Sequence, residues 1–163
     1  MILIGIGSNI SGPWGTPRDT LAKAIARLND APCRIVETSS VLETTPFGNP
    51  DQPNFLNAVT RIETKVDPEV LLLHLQDIER SAGRRRGDKW GPRTLDLDIL
   101  DYHGVIRQSP PPVLPHPGIA ERAFVLVPIV EIAPEWRHPI LGASARELLG
   151  RLDGSAGGTT VAP

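Results

Sequence analysis

The 163-residue sequence is poor in cysteine and in aromatic residues, with one cysteine and an aromatic fraction of 4%. A single cysteine, Cys33, allows no intrachain disulfide and no thiolate metal cluster. We expect Cys33 to fill a core strand position, since a free cysteine behaves as a small hydrophobic residue. This composition is compatible with a reducing compartment, and we expect a cytoplasmic protein.

Long apolar runs and a strong net charge are also missing. No apolar stretch approaches the roughly 20 residues of a membrane-spanning helix. The N-terminal residues Met1 to Ile4 lack the basic segment of a signal peptide. A formal net charge of −2 argues against a broad nucleic-acid surface. The sequence has no Gly-x-x-x-x-Gly-Lys-Ser/Thr loop, which disfavours a P-loop kinase.

Two aspartates, Asp96 and Asp98, lie two residues apart in an apolar, β-prone run from Leu95 to Leu100. Because alternate side chains of a strand point to opposite faces, the two carboxylates share one face, about 7 Å apart. That spacing suits hard cations such as Mg²⁺. An Asp-x-Asp alone is more often an exposed strand face, so the pattern needs support from its surroundings.

Positive charge lies directly upstream of the two aspartates. The basic side chains are Arg84, Arg85, Arg86, Lys89 and Arg93. Carboxylates for a metal beside basic groups for phosphate predict phosphoryl or diphosphoryl transfer. We expect Arg85 to point to solvent, because it alternates with Arg84 and Arg86.

Two segments carry the start signals of helices. Thr16 offers a hydroxyl cap, followed by Pro17 in the first turn and by Asp19 three residues after the cap. Asp67-Pro68 repeats this arrangement before a second amphipathic stretch. Shorter helices are predicted over 122–132 and 143–152. Strands are predicted over 2–6, 34–42, 55–64 and 95–102.

This order of elements predicts an α+β sandwich of the split βαβ kind, as a single domain over residues 1–152. Both main helices are expected to cover one face of the sheet. The opposite face is then free to hold ligands, with loops as walls. Residues 153–163, rich in Gly, Ser and Thr, are expected to form a disordered tail.

Several motifs occur together along the chain, and their combination is far more specific than any one of them. They are Gly7-Ser8-Asn9, Thr44 to Gly48, Asp51 to Asn57, Glu79, Gly83-Arg84-x-Arg86, Trp90 to Ile99, Pro115-His116-Pro117 and Arg122-x-Phe124-Val125-Leu126-x-Pro128. Through them the chain resembles the 6-hydroxymethyl-7,8-dihydropterin pyrophosphokinases over about residues 1–150.

The resemblance implies a ferredoxin-like βαββαβ fold with C-terminal additions. It implies transfer of the β,γ-diphosphoryl group of MgATP to the hydroxymethyl oxygen of 6-hydroxymethyl-7,8-dihydropterin, which yields AMP and serves folate biosynthesis. Two Mg²⁺ ions are expected to take part. The expected partners are these small molecules alone, without nucleic acid or membrane, and the expected state is a monomer.

The resemblance also implies residue roles. The expected catalytic residues are Arg84, Arg93, Asp96 and Asp98, of which Asp96 and Asp98 are the metal ligands. The expected pterin-binding residues are Thr44, Thr45, Phe47, Phe55, Asn57, Trp90 and Phe124. The expected ATP-binding residues are Gln76, Glu79, Arg84, Arg86, Lys89, Arg93, Ile99, His116 and Arg122.

Some alternatives stay open on the sequence. Asp98 can accept the proton of the attacking alcohol, or a metal can lower the pKa of that alcohol. Two other functions compete, a ferredoxin-like module that binds RNA or a regulatory nucleotide, and a different Mg²⁺-dependent kinase or nucleotidyltransferase. Thr45 and Phe55 depart from the proline and the tyrosine that other members use, so the loop is less rigid and a hydroxyl contact is lost.

Overall fold

One antiparallel β-sheet organises the chain. The computed structural model describes residues 1–45, 51–84 and 93–152, and the backbone of 159–161. Its elements are β1 (Ile2–Ser8), α1 (Pro17–Leu28), β2 (Cys33–Thr38), β3 (Leu42–Thr44), β4 (Phe55–Thr64), α2 (Pro68–Ser81), β5 (Asp96–Tyr102), a 3-10 turn (Ile119–Glu121), α3 (Ala123–Ile132), α4 (Ala145–Gly150) and β6 (Thr159–Val161). The strand order is β5-β1-β4-β3-β6, and β2 also pairs with β4.

The helix signals in the sequence are confirmed. The Thr16 hydroxyl accepts a hydrogen bond from the Asp19 amide, and the Asp19 carboxylate accepts one from the Thr16 amide. The carboxylate of Asp67 caps α2 in the same manner, by accepting from the amide of Val70. Such caps satisfy amides that have no partner inside the helix. Helices α1 and α2 therefore start where their caps are encoded.

Helices α1 and α2 cover one face of the sheet, as the order of the elements predicts. Leu95, Leu97 and Ile99 point into the core between the sheet and these helices, together with Ile4 and Ile6 of β1. All five are at most 4% exposed. Because β5 alternates strictly here, Asp96 and Asp98 are left on the opposite face.

The opposite face is less open than the sequence predicted. Helices α3 and α4 pack on it and form a second core with Leu3, Val59 and Leu100 of the sheet. The hydrophobic character of α3 explains this, because a helix that is apolar on nearly every side must be buried. The second core covers Leu3 of β1, and the part of the face beyond it stays accessible.

The predicted strand over 34–42 is divided into β2 and β3 in the structure. Ser39 lies at the break, where its hydroxyl accepts a hydrogen bond from the amide of Val59 at 2.9 Å. Ser40 turns away and donates its amide and hydroxyl to the carboxylate of Glu131 on α3. The Ser39 amide still donates to the carbonyl oxygen of Val59, but hydrogen bonds of the two serine side chains interrupt the regular ladder, and apolar periodicity does not report them.

The tail also differs from the sequence prediction. Residues Thr159–Val161 form β6, which pairs with the edge strand β3. β-branched residues favour extended backbone, and the edge of β3 offers unpaired main-chain groups. The other residues of the tail after Leu152 lie outside the described part of the chain. None of the described helices has the length and apolarity needed to cross a membrane.

Candidate active site

Two glycines of β1 form the floor of a pocket on the open part of the sheet. Gly5 and Gly7 pair with Asp98 and Asp96 of β5 on one side of β1, and with Val59 and Asn57 of β4 on the other. Since Ile4 and Ile6 point to the helix-side core, the glycines leave the opposite side of the strand without side chains. The result is a cavity of about 290 Å³ in the middle of the sheet.

One wall of the pocket carries the paired carboxylates. Asp96 and Asp98 both line it, together with Arg84 and Arg93. The Arg84 guanidinium donates from Nη1 to Oδ1 of Asp96 at 2.8 Å. It also forms an ion pair with Glu79. Anion-binding and cation-binding side chains therefore stand side by side, as the sequence predicted for phosphate chemistry.

Glu79 lies behind this wall. Glu79 is 7% exposed, and its carboxylate accepts a hydrogen bond from the amide of Leu97 at 2.8 Å. Burial raises the pKa of Glu79, although the Leu97 amide and the Arg84 guanidinium act against that rise. Burial of the Arg84 guanidinium disfavours its charge, but the carboxylates of Asp96 and Glu79 outweigh this effect and raise the pKa of Arg84. Glu79 thus joins α2, Arg84 and the start of β5.

Asp98 is the most perturbed acid of the pocket. Burial, and then the negative charges of Asp96 and Glu79, raise its pKa to about 7, against the opposing effect of Arg122 and Arg84. Two carboxylates that share a site cannot both ionise easily unless a positive charge joins them. The pair is therefore suited to hold a cation.

His116 and Arg122 complete this side of the pocket. Nε2 of His116 lies 3.8 Å from Oδ2 of Asp98, and its Nδ1 accepts a hydrogen bond from the amide of Gly118 at 3.1 Å. Burial, assisted by Arg122, lowers the pKa of His116. The imidazole is therefore neutral at pH 7, with its proton on Nε2 directed towards Asp98.

The far wall of the pocket is formed by aromatic side chains and by the carboxamide of an asparagine. Phe55 at the start of β4 and Phe124 at the start of α3 both line the pocket. Asn57 donates from Nδ2 to the hydroxyl of Thr44 at 2.9 Å. That bond fixes the amide plane, and a Cβ on Gly7 would lie 2.9 Å from Oδ1 of Asn57. Apolar ring faces and a fixed amide suit a flat ligand with polar edges.

The structure places most of the sequence-predicted site residues around this one cavity. These are Thr44, Thr45, Phe55, Asn57, Arg84, Arg93, Asp96, Asp98, His116, Arg122 and Phe124. Predictions for Phe47, Arg86, Lys89 and Trp90 fall outside the described residues, as does the prediction for Arg85.

Three predicted ATP-binding residues do not line the cavity. Gln76 is exposed on α2, and Ile99 points into the helix-side core, where it is 4% exposed. Glu79 supports Arg84 from behind. The helix and strand periods account for all three, because each side chain takes the face that its position in the element dictates.

Gly5 and Gly7 are the functional positions that sequence reasoning missed. The signal was available in the first strand, Ile2-Leu3-Ile4-Gly5-Ile6-Gly7, where isoleucine alternates with glycine. Glycine at every second position of a central strand marks a place where a ligand approaches the backbone closely.

The residues present fit a magnesium ion. Among the described residues no cluster of three or more His, Cys, Asp or Glu side chains forms a complete metal cage. Mg²⁺ seldom needs such a cage, because it binds one or two carboxylates and takes its other oxygens from phosphate and water. Asp96 and Asp98 supply two carboxylates, and their mutual repulsion favours a cation between them.

Paired carboxylates beside arginines, on the open face of a split βαβ sheet, define an α+β enzyme of the phosphate-transfer class. The chain belongs to the 7,8-dihydro-6-hydroxymethylpterin-pyrophosphokinase family, whose model matches residues 3–134. It is thus a pyrophosphokinase, a transferase of folate biosynthesis.

Curated relatives agree over most of the chain. The 2-amino-4-hydroxy-6-hydroxymethyldihydropteridine pyrophosphokinase of Methylorubrum extorquens is 43% identical over 93% of this chain and 93% of its own length. The enzyme of the same name from Haemophilus influenzae is 44% identical over 83% of each chain. Identity at this level over nearly full length carries the family assignment.

Solved structures support the ferredoxin-like fold. A crystal structure of HPPK-DHPS in complex with substrates matches 92% of this chain with a TM-score of 0.69 and 14% identity. Plasmodium falciparum HPPK-DHPS with SDX-DHP gives a TM-score of 0.66 and 15% identity. The present chain spans 43% of each of those longer proteins. The predicted fold class is confirmed.

Proposed function

We propose that this pyrophosphokinase transfers the β,γ-diphosphoryl group of ATP to the hydroxymethyl oxygen of 6-hydroxymethyl-7,8-dihydropterin and releases AMP. The observation that carries the proposal is the single pocket in which Asp96, Asp98 and Arg93 face Asn57 and Phe55. One end is built for phosphate and a cation, and the other for a flat heterocycle. The names of the relatives point to the same acceptor.

The aromatic end of the pocket is the proposed pterin site. Phe55 and Phe124 offer ring faces, and a pterin ring stacks favourably on such faces. The amide of Asn57 offers both a donor and an acceptor to the edge of the ring, and its bond to Thr44 fixes the orientation. Gly7 beneath it leaves the room that the ring requires.

The charged end is the proposed diphosphate site. Arg84 and Arg93 would bind phosphate oxygens, for which the planar guanidinium is well shaped. Asp96 and Asp98 would hold two Mg²⁺ ions, which supply charge neutralisation and in-line orientation of the phosphate chain when bound. The chain's own contribution is therefore position and fixed charge, the main sources of catalysis in phosphate transfer.

His116 and Arg122 are proposed to complete the ATP side. Burial keeps His116 neutral, so that its Nε2–H can donate to a phosphate or ribose oxygen without a net charge. Arg122 lies beside Phe124, with Cζ 5.9 Å from the ring centre. It is thus placed at the boundary between the two halves of the pocket.

A product assay tests the proposal. Protein, Mg²⁺, ATP and 6-hydroxymethyl-7,8-dihydropterin are combined, and the nucleotide product is identified by chromatography. We expect AMP that appears only when the pterin is present. Formation of ADP, or no turnover by a folded sample, would contradict the proposed reaction. Asp77→Asn is a matched control, because Asp77 is an exposed carboxylate on α2 that forms an ion pair with its neighbour Arg80.

Location and oligomeric state stay predictions. A cytoplasmic location agrees with the free, buried thiol of Cys33. Sedimentation velocity of the purified chain measures the oligomeric state directly, and a dimer at micromolar concentration would contradict the monomer.

A further inference from the structure

Asn9 occupies a buried junction between the two halves of the pocket without lining the pocket itself. It directly follows β1 and is 2% exposed. The sequence motif Gly7-Ser8-Asn9 singles it out, yet the proposed reaction assigns it no role. Its side chain reaches two segments that are distant in sequence, one on each side of the active site.

The carboxamide of Asn9 uses both of its ends. Oδ1 accepts a hydrogen bond from the main-chain amide of Arg93 at 2.8 Å. Nδ2 donates to Oε1 of Gln52 at 2.8 Å and to the carbonyl oxygen of Pro53 at 2.9 Å. An amide is the side chain that can accept on one side and donate twice on the other.

The main chain strengthens the first of these links. The amide of Asn9 donates to the carbonyl oxygen of Arg93 at 3.0 Å, so that Asn9 and Arg93 are bonded in both directions. Arg93 lines the phosphate end of the pocket. Gln52 and Pro53 belong to the segment that leads through Asn54 into Phe55, which lines the pterin end. Asn9 thus connects the supports of both substrates.

Gly12 and Pro13, in the loop that follows Asn9, lie close to Thr94 and Gly83, the chain neighbours of Arg93 and Arg84. A Cβ on Gly12 would lie 2.8 Å from Cγ2 of Thr94, and a Cβ on Gly83 would lie 2.5 Å from Cδ of Pro13. The absence of a side chain at Gly12 and at Gly83 thus allows the loop that carries Asn9 to pack closely against the residues next to Arg84 and Arg93. A positioning element needs such support from its surroundings.

We propose that Asn9 is a positioning residue for diphosphoryl transfer, which sets Arg93 against the segment that presents Phe55 through its bonds to the Arg93 main chain and to Gln52 and Pro53. The proposal rests on the proposed function. Group transfer between two bound substrates depends steeply on their relative placement, and a displacement of about 1 Å can cost about 100-fold in rate. The effect of Asn9 should therefore appear in kcat.

Two substitutions test this role. Asn9→Asp keeps the shape and the acceptor for Arg93, but it removes both donors. Gln52→Ala removes one partner and leaves Asn9 unchanged. We expect Asn9→Asp to lower kcat about 10–100-fold, and Gln52→Ala to lower it less. In the double variant the Gln52 substitution should add little, because its partner is already lost.

Two control variants separate positioning from stability. Asn54→Ala removes another amide of the same segment, one whose Nδ2 donates to Glu43 at the surface. Trp136→Phe removes a buried hydrogen bond to Asp101, 2.6 Å long, in the second core. Both should retain kcat within twofold of the unmodified enzyme, although Trp136→Phe should lower the melting temperature as much as Asn9→Asp does.

Kinetics and melting temperature are measured on the full chain, with kcat and KM for ATP and for the pterin determined separately. If Asn9→Asp keeps kcat close to that of Asn54→Ala, or if Trp136→Phe loses as much kcat, Asn9 is merely structural and the inference is wrong. Should Asn9→Asp not fold, an unchanged kcat in Gln52→Ala has the same meaning. Absence of AMP formation by the unmodified enzyme would instead overturn the proposed function, and the inference with it.

Discussion

Gly7 of β1 lies directly opposite Asn57 of β4, and a Cβ at position 7 would stand 2.9 Å from the Oδ1 atom of Asn57. Asn57 cannot swing aside freely, because its Nδ2 is bonded to Thr44. The missing side chain of Gly7 and the fixed amide of Asn57 therefore form one feature of the pocket. Its shape depends on both residues together.

Gly7→Ala is expected to weaken pterin binding without unfolding the protein. The added methyl group must push the Asn57 amide from its place, so KM for the pterin should rise about tenfold, equivalent to roughly one lost hydrogen bond. Steady-state kinetics measure this change. Gly150→Ala is the control, because a Cβ there meets no atom within 4 Å. Equal KM values for both variants would refute the role of Gly7.

Asp96→Asn and Asp98→Asn are each expected to abolish most turnover and to preserve the fold. Both side chains are on the pocket side of β5, away from the helix-side core, so neither substitution disturbs packing. Removal of one fixed charge at a phosphate-transfer site should lower kcat about 10²–10³-fold. Asp77→Asn controls for general loss of acidic charge. A normal rate in either pocket variant would contradict its assignment as a metal ligand.

The sequence predicted the parts of the site that follow from local periodicity. Strand alternation alone places Asp96 and Asp98 opposite Leu95 and Leu97, and the structure has this arrangement. The helix cap at Thr16 is another local signal of this kind. Each of these features depends on residues within a few positions of one another, which is the range over which backbone geometry dictates direction.

Contacts between distant segments could not be predicted in this way. The link between Asn9 and Gln52 joins positions 43 residues apart, and no periodicity encodes it. Ser39 interrupts a strand because its hydroxyl bonds to Val59 across the sheet. Helices α3 and α4 cover part of the face that was expected to be free. In each of these three instances the structure is determined by contacts between distant segments, which the local sequence pattern does not specify.

Glu79→Gln is expected to impair catalysis through Arg84. The carboxylate of Glu79 pairs with the Arg84 guanidinium and accepts from the amide of Leu97. A neutral amide keeps the volume but loses the charge partner, so Arg84 would keep its ion pair with Asp96 but lose the one with Glu79. We expect kcat/KM for ATP to fall about tenfold, which corresponds to a charged hydrogen bond of about 1.5 kcal/mol. Glu69→Gln, which changes a more exposed acid on the same helix, should leave kcat/KM unchanged, and a similar loss there would argue against the role of Glu79.

The pKa of Asp98 predicts how the stability of the metal-free protein depends on pH. Its pKa is about 7 in the folded chain, against an ordinary value of 3.8, because of burial and the neighbouring acids Asp96 and Glu79. Between these two pH values the folded state holds a proton that the unfolded state has released. The contribution of Asp98 to the free energy of unfolding must therefore decrease as the pH rises from about 4 to about 7.

Magnesium bound at the proposed site should reverse this trend, because it would bind the ionised carboxylate and compete with the proton. Thermal denaturation of the protein and of Asp98→Asn, with EDTA or with Mg²⁺ and a non-hydrolysable ATP analogue, measures both effects. We expect the stability of the unmodified protein in EDTA to fall relative to Asp98→Asn between pH 5 and 7, and the stabilisation by Mg²⁺ and nucleotide to grow over the same interval. Parallel curves for the two proteins in EDTA would show that Asp98 ionises normally, and the electrostatic account of the carboxylate pair would then be wrong.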